Sequence, residues 1–105
     1  MSRFTDILER LSATVAARAG ADPSSSWTAK LLADPKLAAK KLGEEALETA
    51  LADTADQTAA ESADLIYHWL VLLQARGVSL DAVAEKLEAR EGVSGIAEKA
   101  GRKSS

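Results

Sequence analysis

Residues 34–77, DPKLAAKKLGEEALETALADTADQTAAESADLIYHWLVLLQARG, decide the fold. Asp34-Pro35 is a helix start, with aspartate as N-cap and proline at the first helical position, where its missing N–H costs nothing. The spacing predicts a helix running to about residue 51, with Leu42, Ala46, Leu47, Ala50 and Leu51 as its apolar stripe. Residues 53–56 make the turn, and Asp56 is the expected cap of a further long helix ending near Arg76. Gly77 then falls where helices end on a left-handed residue. A turn this short makes the two long helices antiparallel neighbours.

The flanks read the same way. Phe4, Ile7, Leu8, Leu11 and Val15 recur at three- and four-residue steps, predicting a first helix over residues 5–19 capped by Thr5 or Ser2 and closed by Gly20. Residues 21–26 (ADPSSS) form a turn, and 27–33 one or two helical turns. Ser79 caps a last helix over 80–91, with Val83, Leu87 and Leu80 facing inward. The expected division is one all-α domain over residues 1–92 and a polar, basic tail over 93–105, broken by Gly92, Gly95 and Gly101. The fold class is an antiparallel bundle of four to five helices. Leu65, Ile66, Trp69, Leu70, Val71, Leu72 and Leu73 surround their helix axis instead of lining one face. Short neighbours in one chain cover such a helix poorly, so the expectation is a homodimer with it near the two-fold axis. A monomeric bundle wrapped around the helix is the other reading.

Composition agrees. Alanine accounts for 22 of 105 residues and aromatics for 4%, with two prolines and six glycines as breakers, which disfavours a β-sandwich or a Rossmann domain. The absence of cysteine excludes disulfide scaffolds, thiolate metal sites and thiol nucleophiles. The most apolar run, residues 65–73, is far shorter than the roughly 20 residues a membrane span needs. No Walker-type phosphate loop and no G-x-S-x-G turn occurs.

Charge is where chemistry enters. The net charge is −3, yet Glu44, Glu45, Glu48, Glu61 and Asp64 account for five of the 16 acids, leaving 11 acids against 13 bases elsewhere. A slightly basic body with a concentrated acidic spot points to a cation site rather than a nucleic-acid surface. Glu48 is three or four residues from Glu45 and Glu44, on one helix face, and Glu61 and Asp64 repeat the arrangement on the next helix. With the turn centred near residue 54 or 55, Glu48 and Glu61 stand about six or seven residues from it, and Glu45 and Asp64 about nine or ten. The two pairs then meet at matching heights. Gathered carboxylates repel and raise one another's pKa, so they call for a cation. Oxygen-only ligands suit a hard divalent ion, Mg²⁺ first and Mn²⁺ second. A solvated acidic face is the alternative. Di-iron bundles use Glu-x-x-His pairs. The single histidine, His68, lies four residues after Asp64, so that pattern is absent, and His68 is expected to pack or line an interface.

The segments SWTAKLL (26–32), KKLGEEALETALA (40–52) and ESADLIYHWLVLLQARGVSLDAV (61–83) closely resemble the phosphoribosyl-ATP pyrophosphatases. The paired E-E-x-x-E and E-x-x-D motifs are those of the wider all-α, MazG-like nucleotide pyrophosphohydrolases. The resemblance covers residues 4–87 and departs at Trp27, where the family more often has tyrosine. It implies Mg²⁺-dependent hydrolysis of 1-(5-phosphoribosyl)-ATP to 1-(5-phosphoribosyl)-AMP and pyrophosphate. That reaction is the second step of histidine biosynthesis, in the cytoplasm. It also implies a functional link to a phosphoribosyl-AMP cyclohydrolase, expected on a separate polypeptide.

On that reading Glu45, Glu48, Glu61 and Asp64 hold one or two Mg²⁺ ions while water attacks in line at the α–β anhydride. Glu44 and Glu48 are the catalytic carboxylates, with Glu44 as general base or outer metal ligand and Glu45 exchangeable with it. Lys30, Lys41, Lys99 and Arg102 are the candidate phosphate contacts. The competing readings are a house-cleaning pyrophosphatase of nucleoside triphosphates and, in another class, a non-catalytic helical dimer. Neither nucleic acid nor membrane is an expected partner.

Overall fold

Every described helix begins on a side-chain oxygen. Ser2, Ser26, Asp34, Thr54 and Ser79 each accept a hydrogen bond from the backbone N–H three residues on. Such a cap is worth about 0.5–2 kcal/mol over alanine. The structure is a computed structural model that describes residues 2–92. Its elements are α1 (Arg3–Ala17), α2 (Trp27–Leu32), α3 (Pro35–Leu51), α4 (Ala55–Ala75) and α5 (Leu80–Arg90). No strand occurs among the described residues. The proposed tail, with Lys99 and Arg102, lies outside them.

The all-helical reading holds, with two local corrections. Ser2 rather than Thr5 caps α1, which stops at Ala17, two residues short of the expected end. Thr54 rather than Asp56 caps α4, its hydroxyl accepting from the Gln57 N–H. Asp56 therefore sits inside the first turn, where its charge still faces the helix dipole favourably. At the other end Gly77 is left-handed, with φ of 66°. The Val78 N–H reaches the Leu73 carbonyl at 2.9 Å and the Gly77 N–H reaches Gln74 at 3.2 Å, the paired bonds of a Schellman stop.

The central helix is α4. It packs most extensively on α3 and also against α1 and α2, whereas α5 touches the rest only lightly. The core takes one fully buried residue from each of the first four helices: Val15, Leu31, Ala38 and Val71. Leu32, Leu37, Tyr67 and Leu72 close around it. A hydrogen bond between the Thr28 and Tyr67 hydroxyls ties α2 to α4 across 39 residues of sequence.

The apolar stripe expected on α3 does not enter this core. Ala38 is the buried residue of α3, and Leu47 and Leu51 are 61% and 68% exposed. The reason is the site itself: the α3 face turned to α4 carries Glu45 and Thr49, which leaves the leucines outside. Leu87 on α5 and Phe4 on α1 are likewise exposed. Leu42, Ala46, Leu65, Ile66 and Trp69 line an open apolar hollow of about 410 Å³. Ile66 also lines the neighbouring hollow against Phe4, Ile7, Leu8 and Leu11, so the two form one continuous apolar surface.

Candidate functional site

The hairpin brings three of the five singled-out acids together. One carboxylate oxygen each from Glu45, Glu61 and Asp64 lie within 4.8 Å of one another. The expected partners meet, Glu48 bearing on Glu61 and Glu45 on Asp64. With Thr54 capping α4, the connection is residues 52–54 and its centre is Asp53. Glu45 and Glu61 each stand eight residues from that centre, on either side of it. Glu48 lies nearer the turn, against both Glu45 and Glu61.

These carboxylates are under electrostatic strain. Burial pushes the Glu45 carboxyl above the ordinary glutamate value, and the neighbouring Glu48 and Asp64 add to it. Charge at His68 works in the opposite sense. Burial also raises Glu61, followed by its contact with Glu48 and the charges of Asp64 and Glu45. One oxygen each of Glu45 and Glu61, Oε2 in both, is buried and has no hydrogen-bond partner among the described residues. A buried acceptor without a donor is costly. Two of them, facing a third carboxylate, fit a hard cation that accepts oxygen ligands.

Glu44 is not among the three converging carboxylates. It pairs instead with Lys41 on the same helix, Nζ to Oε2 at 3.2 Å, both side chains being partly exposed. Lys41 Nζ also lies 5.9 Å from the centre of the Trp27 ring, and Lys30 Nζ lies 5.6 Å from it. The two described candidate phosphate contacts, one from α2 and one from α3, thus share one half-exposed indole. The sequence singled out Trp27 only as a departure from tyrosine. Its i, i+3 spacing to Lys30 was the available signal.

His68 is packed, at 8% exposed, with its ring edge-on to Tyr67 at 4.9 Å. Nδ1 donates to the Asp64 carbonyl at 2.8 Å, since a carbonyl only accepts. The Thr28–Tyr67 bond, the Tyr67–His68 contact and this bond form a chain from α2 to the backbone of the acidic turn. Nothing local in the sequence announces that connection.

At the turn end, Glu48, Leu51, Ala52, Asp53, Gln57 and Glu61 line a pocket of about 340 Å³. Gln57 escaped the sequence reading. It precedes Glu61 by four residues and so shares its face.

Comparison with known proteins gives a consistent picture. Residues 8–91 match the family model described as phosphoribosyl-ATP pyrophosphohydrolase. A phosphoribosyl-ATP pyrophosphatase of Caulobacter vibrioides (strain NA1000 / CB15N) is 72% identical over 103 residues, covering 95% of this chain and 96% of that protein. One from Caulobacter sp. (strain K31) is 65% identical, covering 99% of this chain and 100% of its own. One from Cereibacter sphaeroides (strain KD131 / KCTC 12085) is 59% identical, covering 91% and 97%.

Proposed function

This chain belongs to the phosphoribosyl-ATP pyrophosphohydrolase family, and we propose that its acidic hairpin is where the family's reaction takes place. It is a hydrolase of a phosphoric anhydride: phosphoribosyl-ATP and water yield phosphoribosyl-AMP and pyrophosphate, a step of histidine biosynthesis. The observation that carries the site is the convergence of Glu45, Glu61 and Asp64, with two carboxylate oxygens buried and unpartnered among the described residues.

Those three side chains, with Glu48 beside them, would hold a divalent cation, Mg²⁺ in our reading and Mn²⁺ as its substitute. Such an ion supplies charge neutralisation at phosphate oxygens and lowers the pKa of water. The chain's own part begins with geometry. Glu45 and Glu61 face across the hairpin, so α3 and α4 each contribute a rigid ligand. Of the two catalytic candidates, Glu48 lies against the site, whereas Glu44 is held by Lys41. Glu48 is therefore the better-placed acceptor for the proton released as water attacks the α–β anhydride, and Glu44 the outer carboxylate. Lys30 and Lys41 meet phosphate, joined by Lys99 and Arg102 from the tail.

The chain acts as a homodimer in this proposal. Only six apolar residues are buried among those described, while Leu42, Ala46, Leu65, Ile66 and Trp69 form an open hollow without a polar wall. A second copy seated there removes from water the helix face that the single chain leaves bare. No described helix is long and apolar enough to cross a membrane. We assign the reaction to the cytoplasm, with the product passing to a separate cyclohydrolase.

The deciding experiment is pyrophosphate release from phosphoribosyl-ATP, with and without Mg²⁺, beside a panel of dNTPs. Mg²⁺-dependent release from phosphoribosyl-ATP alone is expected. Preference for dNTPs would reassign the substrate, and release unaffected by chelation would remove the metal.

A further inference from the structure

Charge is distributed unevenly on either side of the carboxylate cluster, and that asymmetry bears on how a substrate lies. No lysine or arginine stands between Lys41 and Arg76, so the turn side of the hairpin offers only Glu48, Asp53 and Glu61 to a ligand's charges. On the other side, Lys41 is one helical turn before Glu45, about 6 Å along the axis. Lys30 reaches the same place from α2, both ammonium groups lying within 6 Å of the Trp27 ring. Cations over an indole face are held there by the ring quadrupole, which offsets their mutual repulsion. Lys30 has no carboxylate partner among the described residues. Trp27 is 44% exposed, so the pair is open to a ligand.

The turn pocket has the opposite character. Its exposed Leu51 is an apolar wall, and its volume of about 340 Å³ is that of a small-ligand site. The Asp53 N–H donates to Gln57 Oε1 at 3.2 Å, which orients the amide and leaves its NH₂ group without an acceptor among the described residues. A group that is uncharged, partly flat and rich in acceptors fits there, and a polyphosphate does not.

We propose that the substrate lies along the α3–α4 hairpin in one direction, its triphosphate toward Trp27, Lys30 and Lys41 and its adenosine ribose and base in the pocket of Leu51 and Gln57, with the phosphoribosyl phosphate extending beyond the pocket into solvent. This rests on the carboxylate cluster being the reaction centre. Trp27 is then a positioning residue, acting through the two lysines, and Gln57 a binding residue for base or ribose. The departing pyrophosphate leaves on the lysine side.

The test separates the two ends with inorganic pyrophosphate as probe. In a Trp69→Phe background Trp27 is the sole indole, and its emission is expected to change as pyrophosphate and Mg²⁺ are added. Lys30→Met and Lys41→Met should each weaken pyrophosphate binding about ten-fold, the loss of a charged hydrogen bond. Trp27→Leu should weaken it about five-fold and Trp27→Phe much less, because phenyl keeps an attracting face. Gln57→Leu should leave pyrophosphate affinity unchanged and raise the KM for phosphoribosyl-ATP about five-fold, with kcat retained. Pyrophosphate affinity that falls in Gln57→Leu and not in the lysine variants would reverse the direction. Affinity unmoved by either lysine, or Trp27 emission indifferent to pyrophosphate, would also overturn the proposal. Failure of the underlying reading shows elsewhere, as turnover that persists in Glu61→Gln.

Discussion

At one end of the α3–α4 hairpin, Ala38, Leu70 and Val71 are buried against α1 and α2. At the other, beyond Glu45 and Glu61, both helices stand bare and leucines face water. The same pair of helices thus carries two kinds of interface. The first removes apolar surface from solvent, the dominant favourable term in folding. The second brings like charges together at partial burial, which opposes folding until a cation arrives. Stability is concentrated at the end away from the turn, and chemistry next to it.

Perturbing either end probes this division. The largest effect belongs to the acidic end. Glu61→Gln or Glu45→Gln is expected to lower turnover by about 100-fold or more, since even outer-shell metal partners contribute about 10–100-fold. The same variants should melt higher than the parent in EDTA, because one repelling charge is gone. A variant that loses both activity and metal-free stability would erase the distinction between the two ends. At the apolar end, Leu31→Ala should cost about 2–5 kcal/mol in denaturant unfolding, for removal of a fully buried side chain.

The third effect is pH-dependent. Glu45 and Glu61 hold their protons more tightly folded than unfolded. Metal-free stability should therefore fall as pH rises from the ordinary glutamate value through the raised folded value, and level off above it. Saturating Mg²⁺ should reverse the slope, since it binds the ionised form. Thermal melts across pH, with EDTA and with Mg²⁺, measure both slopes, and parallel curves would refute the coupling. The smallest effect is expected far from the acids. Gly77→Ala forces a side chain into a left-handed position and should cost about 1 kcal/mol, with kcat unchanged.

Much of this was legible beforehand. Asp34-Pro35, Ser79 and Gly77 act through bonds to residues within five positions, so their roles are visible in the one-dimensional string. The motifs of Glu45, Glu48, Glu61 and Asp64 were visible for the same reason: residues three and four apart share a helix face whatever the fold. The register across the hairpin was less so. It depended on where the connection centres, which Thr54 and Asp56, two eligible caps two residues apart, left open, although the expected acids do meet.

What tertiary structure decided is everything that pairs distant segments. Leu47 and Leu51 form an apolar stripe by periodicity, yet the fold turns Glu45 and Thr49 toward α4 and leaves the leucines outside. Trp27 gathers Lys30 from its own helix and Lys41 from the next, and Thr28 finds Tyr67 across 39 residues. Helix identity and capping are local free energies, each settled within about one turn. Which face meets which is a property of the packed whole, where the carboxylates' need for a shared cation competes with the leucines' need for cover.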